Sequence, residues 1–141
     1  MWFMGSRRGP FAALIVGILL FQPAGASYAT TCVAIPVKPI HHVCGIVIDP
    51  LGEPISNAKV TILKGETELV TVQTGVDGKF SIEPLEARNY GLRVRSTGFQ
   101  TAQSPIVVVK PQAKCKRVLE VVLAVGMGCS GMALVKPKPA N

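Results

Sequence analysis

The stretch Gly45-Ile46-Val47-Ile48-Asp49-Pro50-Leu51-Gly52-Glu53-Pro54-Ile55-Ser56-Asn57-Ala58-Lys59-Val60 decides the fold. A short apolar run ends at Asp49. Five residues rich in Pro and Gly turn the chain, and a second run begins at Ala58, with Ala58, Val60 and Ile62 alternating onto one face. Apolar residues at every second position, bounded by turn residues, are the mark of a half-buried strand.

Downstream the pattern repeats. Val43–Asp49 and Ala58–Lys64 are the first two predicted strands. Glu68–Thr74 follows, with Val70 and Val72 inward. Val76-Asp77-Gly78-Lys79 carries the Asp-Gly hairpin signal, after which Phe80 and Ile82 face in while Lys79 and Ser81 face out. Tyr90–Ser96 places Tyr90, Leu92 and Val94 inside, and Gly98 ends it. Ile106–Lys110 is apolar on both faces, and Arg117–Val125 turns Leu119, Val121 and Leu123 inward. No sustained helical period occurs after residue 30. Seven short strands at this spacing predict an all-β sandwich.

Upstream, Arg7 and Arg8 precede an apolar run from Phe11 to Phe21, and Gln22-Pro23 leads into small residues. Charge, apolar stretch and small-residue site in that order predict a secretory signal over 1–29, cleaved after Ala29, with Ala26 as the alternative. The run of 11 residues is short of the roughly 20 that a membrane span needs. The whole chain has 141 residues and a net charge of +7; removal of the signal leaves 112 residues and a charge of +5. That length admits one small domain and excludes a barrel or two-domain enzyme. The expected organisation is a lead-in over 30–42, the sandwich over 43–125 and a Gly/Pro-rich tail over 126–141.

All four cysteines, Cys32, Cys44, Cys115 and Cys129, lie after the signal. An even count in an exported small domain predicts two disulfides, with three pairings open. The expected compartment is the periplasm or the extracellular space.

The residues Gly45, Asp49, Gly52, Pro54 and Ala58, then Asp77, Gly78 and Phe80, then Tyr90 and Gly98, in this order and spacing, resemble carboxypeptidase regulatory-like domains. The likeness covers residues 43 to 125. One departure is Asn89, where the family commonly has Gly. The resemblance implies a seven-stranded Greek-key sandwich of transthyretin (prealbumin) type, non-catalytic and, with no catalytic domain or barrel following, free-standing in an exported bacterial form. In the family-like topology the first and last strands run side by side and parallel. This implies the pairs Cys44–Cys115 and Cys32–Cys129, with two local pairs as the alternative.

Chemistry-bearing motifs are few. His41-His42-x-Cys44 with Cys32 upstream carries soft-metal residue types, but oxidised cysteines are not thiolate ligands and no further His exists. The expectation is therefore a disulfide cysteine beside two exposed histidines, with no metal and no cofactor. Gly126-x-Gly128-x-x-Gly131 matches a dinucleotide fingerprint, but the residues after it are too few and too Pro-rich for the required helix, so it is read as a flexible turn. Asp49 and Asp77 are expected to cap turns. Lys110, Lys114, Lys116 and Arg117 form a basic cluster that can attract anions, as can Arg93 and Arg95 on one outward face; the competing reading is a solvated face. Nucleic acid is not an expected partner, because stacking aromatics are missing. After the signal only Phe80, Tyr90 and Phe99 are aromatic, which weakens a sugar platform. The resulting expectation is a non-enzymatic structural or protein-interaction module; the alternative is a module that binds carbohydrate or an envelope polymer.

Overall fold

A computed structural model of the chain describes residues 37–135. The expected signal segment, its cleavage site and Cys32 lie outside the described residues.

Eight strands form two four-stranded sheets: β1 (Cys44–Ile48), β2 (Lys59–Lys64), β3 (Thr67–Gln73), β4 (Lys79–Ser81), β5 (Asn89–Arg95), β6 (Ala102–Val107), β7 (Val118–Val122) and β8 (Gly131–Val135). One sheet has the order β4-β1-β7-β8 and the other β3-β2-β5-β6. Neighbours are antiparallel except β1 and β7, which run parallel with Gly45 opposite Leu119 and Ile48 opposite Val122. The all-β sandwich expected from the alternation is thus present, with first and last predicted strands side by side.

The core lies between the sheets. Val47, Leu119 and Val121 from one sheet meet Val60, Ile62, Leu92 and Val94 from the other, all fully buried. Each such side chain stabilises the fold by about 1.5–3 kcal/mol. The alternation holds residue by residue: Phe80, Ile82, Tyr90 and Leu123 are buried, and Val70 and Val72 pack against the core from β3. Gly45 sits where β1 crosses the Phe80 ring; a Cβ there would lie 2.7 Å from ring carbons.

Three expectations need correction. The stretch after Gly126 is not only a flexible tail. Gly131–Val135 forms β8, an eighth strand beside β7, with Met132 and Leu134 packed against the core. Met132 and Leu134 alternate as a strand requires, which outweighs the nearby glycines and prolines. Second, the sixth strand spans Ala102–Val107 rather than Ile106–Lys110. Pro105 lies inside it, tolerated because β6 is an edge strand where one backbone N–H is not needed for pairing. Third, the lead-in is part of the fold. Val37 and Ile40 are buried, and Ile40 forms a parallel bridge to Val108, donating its N–H to Val107 O at 2.9 Å while its own carbonyl accepts from Val109 N at 2.9 Å.

Candidate functional site: a cationic cleft at the disulfide pole

The turn motifs are structural. Asp49 Oδ1 accepts from the N–H groups of Leu51 and Glu53 at 2.8 and 2.9 Å, closing the turn in which Gly52 has φ 89° and Pro54 bridges back to Ile48. Asp77 Oδ1 accepts from Lys79 N at 3.1 Å, and its carboxylate pairs with Lys79 Nζ at 3.0 Å. The Lys79 side-chain hydrogen bond, helped by the Lys79 backbone N–H and the ammonium charge, holds the Asp77 carboxyl below its ordinary value. Gly78, with φ 72°, packs so close to β1 that a Cβ would lie 2.6 Å from the Val47 carbonyl. Ala58, just before β2, is fully buried. The Tyr90 hydroxyl donates to Glu86 O at 3.1 Å, tying the start of β5 to the loop before it. Gly98 lies in the β5–β6 turn with φ 84°. Each of these contacts holds a turn or a strand end in place.

The disulfide pole is different. Cys44, at the start of β1, is bonded to Cys115 across a Cα separation of 6.1 Å. This is the pair expected from the resemblance; Cys129 is disulfide-bonded as well. Beside the bridge the lead-in runs against residues 107–112. Gln112 N donates to His41 O at 2.9 Å. The two histidines are not the exposed pair expected from the sequence but half-buried struts. His41 Nδ1 donates to Val109 O at 2.6 Å and His42 Nδ1 to Gln112 O at 3.0 Å. A carbonyl oxygen only accepts, so Nδ1 carries the proton in both rings. His42 Nε2 is hydrogen-bonded to the Ser81 hydroxyl at 2.9 Å, accepting from it when the ring is neutral. No sequence signal marks these bonds, since they join residues 39 to 70 positions apart.

These struts wall a cleft of about 310 Å³ lined by Lys114, Lys116, Arg117, Gln112, His41 and His42, with Pro39 and Ile40 behind. Three of the four residues of the basic cluster therefore converge on one depression. Lys110 does not line it and instead occupies a turn at φ 45°. Among the described residues no carboxylate pairs with Lys110, Lys114, Lys116 or Arg117. Arg93, by contrast, is held by Glu68 at 3.2 Å and by Gln103, which spends its charge within the sheet.

Adjoining the cleft, on the outer face of the β4-β1-β7 sheet, is a shallow apolar groove of about 510 Å³. Ile46, Val118 and the Cys44–Cys115 bridge line it, with Lys79 and Ser81 at its rim.

Other candidates have no comparable geometry. Among the described residues no three His, Cys, Asp or Glu side chains gather around one point. The Gly126–Gly131 run leads into β8, not into a helix. Phe80 and Tyr90 are buried and Phe99 is half-buried, so no exposed aromatic ring is present among the described residues. No described helix is long and apolar enough to cross a membrane.

A family model described as carboxypeptidase regulatory-like domain matches residues 42–124. No curated protein matches the chain at a significant level. Among solved structures, 5-hydroxyisourate hydrolase from Klebsiella pneumoniae is similar with a TM-score of 0.48 and 21% identity, over 69% of this chain and 99% of that one. A second, 3-chlorocatechol 1,2-dioxygenase from Rhodococcus opacus, has a TM-score of 0.36 and 12% identity, over 84% of this chain and 71% of that one. At these values neither similarity bears on what this chain does.

Proposed function

The chain belongs to the carboxypeptidase regulatory-like domain family, and from that premise we propose that it is a non-catalytic, exported module that holds a protein partner through the cationic cleft at its disulfide pole. The observation that carries this reading is the convergence of Lys114, Lys116 and Arg117 on one walled cleft without a paired carboxylate. Charges left unneutralised by the protein's own acids attract an oppositely charged surface, speed its approach and fix its orientation. Export is supported by the Cys44–Cys115 bridge, a bonding state that persists in oxidising compartments, and by the signal-like order of residues 1–29.

The test is affinity capture from the native envelope fraction with the wild-type protein and with a Lys114→Glu/Lys116→Glu/Arg117→Glu variant. The expected result is a partner retained by the former and lost by the latter. Undiminished retention by the variant would overturn the assignment of the cleft. A glycan array run in parallel separates this function from binding of carbohydrate or an envelope polymer, for which the buried rings offer no platform.

A further inference from the structure

We propose that the occupant of the disulfide pole is a short peptide segment in which acidic side chains are followed directly by aliphatic ones. This rests on the protein-interaction reading above and names the chemistry of the partner.

Along residues 114–118 the chain alternates between two adjoining depressions. Lys114, Lys116 and Arg117 line the cationic cleft, whereas Cys115 and Val118 line the apolar groove. The boundary is crossed again where His42, on the cleft side, meets Ser81, on the groove side, at 2.9 Å. A ligand seated here meets positive charge and, one or two residues further on, the aliphatic surface of Ile46 and Val118. The one cation at the groove rim, Lys79, is already paired with Asp77. Both depressions are large enough to take individual side chains of a bound segment.

The backbone on both sides of the cleft is braced. The histidine struts pin the lead-in, and the disulfide pins residue 115 to β1; the Arg117 carbonyl lies 3.4 and 3.5 Å from the two sulfurs. Preorganised walls lower the ordering cost of binding. A membrane surface fits less well. Among the described residues the most exposed large apolar side chains, Leu51, Val76 and Met127, sit on loops at the opposite pole, so they do not add to the cationic surface. An acidic polysaccharide would satisfy the cleft but has no aliphatic group for the groove.

The experiment titrates three fluorescein-labelled peptides into the full, oxidised protein: Glu-Glu-Leu-Val, Glu-Glu-Ser-Ser and Lys-Lys-Leu-Val. The first is expected to bind, the second at least about 10-fold more weakly, and the third not to bind. Lys114→Glu/Lys116→Glu should weaken the first at least about 10-fold. Ile46→Thr or Val118→Thr should remove most of its advantage over the second, with circular dichroism confirming the fold of each variant. Equal affinity for the first two peptides, binding of the third, no binding of the first, or tighter retention on phosphatidylglycerol vesicles or polygalacturonate would each overturn the proposal. Should the first peptide fail while envelope capture still depends on Lys114, Lys116 and Arg117, only this inference falls. Should capture itself be indifferent to those residues, the functional reading falls with it.

Discussion

The Thr74 hydroxyl donates to the Ile55 carbonyl at 2.6 Å, and the same oxygen accepts from Ala58 N at 2.9 Å. Thr74 is buried and its backbone also pairs with Asn57 N and Ala58 O, so one side chain fastens the β1–β2 loop to the end of β3. Replacing Thr74 by Val keeps the shape and strands two buried backbone groups. An unsatisfied buried group costs about 1–3 kcal/mol, so Thr74→Val should destabilise by about 2–4 kcal/mol, measured as a lower urea midpoint at unchanged m-value.

Gly78 and Gly98 both adopt positive φ, 72° and 84°. They differ in surroundings. Nothing lies within 4 Å of a Cβ at Gly98, whereas one at Gly78 would meet the Val47 carbonyl and lie 3.0 Å from Pro54 Cβ. Gly98→Ala should cost about 1 kcal/mol, the conformational term alone. Gly78→Ala should cost at least about 2 kcal/mol more, because Val47 N donates to Gly78 O and the β1–β4 contact must open to relieve the clash. Thermal melts of the two variants side by side check the order.

The Cys44–Cys115 bridge closes a loop with a sequence separation of 71. By chain entropy a loop of that length stabilises by about 4 kcal/mol. A Cys44→Ser/Cys115→Ser variant should lose about 2–5 kcal/mol in urea titration. It should also lose the affinity of the cleft, since residues 114–117 are then no longer tied to β1.

Asp77 supplies a pH dependence whose direction follows from its lowered pKa. A carboxyl that is more acidic in the folded than in the unfolded chain stabilises the fold above its unfolded value, and that contribution is lost as the pH falls through the folded value. The fold should therefore weaken on acidification below about pH 4, and Asp77→Asn should remove that part of the slope. Guanidinium titrations between pH 2 and 6, with carboxyl NMR shifts for Asp77, measure both.

What the sequence disclosed follows from range. Strand alternation and turn chemistry are local, so Val60, Leu92, Leu119 and the caps at Asp49 and Asp77 could be placed without coordinates. The β8 strand was concealed because Gly126, Gly128 and Pro137 around it signal breakage, although Met132 and Leu134 alternate correctly. Pro105 concealed the start of β6 in the same way. The basic residues were visible as a cluster, but their cleft was not. Its opposite wall comes from Pro39 to His42, docked by hydrogen bonds whose partners lie 68 and 70 residues away, and imidazoles in sequence do not announce which carbonyl they will find. The hydrogen bonds of Thr74 were silent for the same reason, their partners lying 16 and 19 positions away.

The parallel seating of β1 against β7, with β8 doubling back alongside, has a practical corollary. The chain threads into its first strand and out of its last at a common pole, with Val135 opposite Val118 and Cys44 close by. A label placed on Val135 itself would stand at the same pole as the bridge and the basic cluster. Labels, tethers and immobilising anchors therefore belong on the loops around Leu51, Val76 or Met127, where they leave the opposite pole unobstructed.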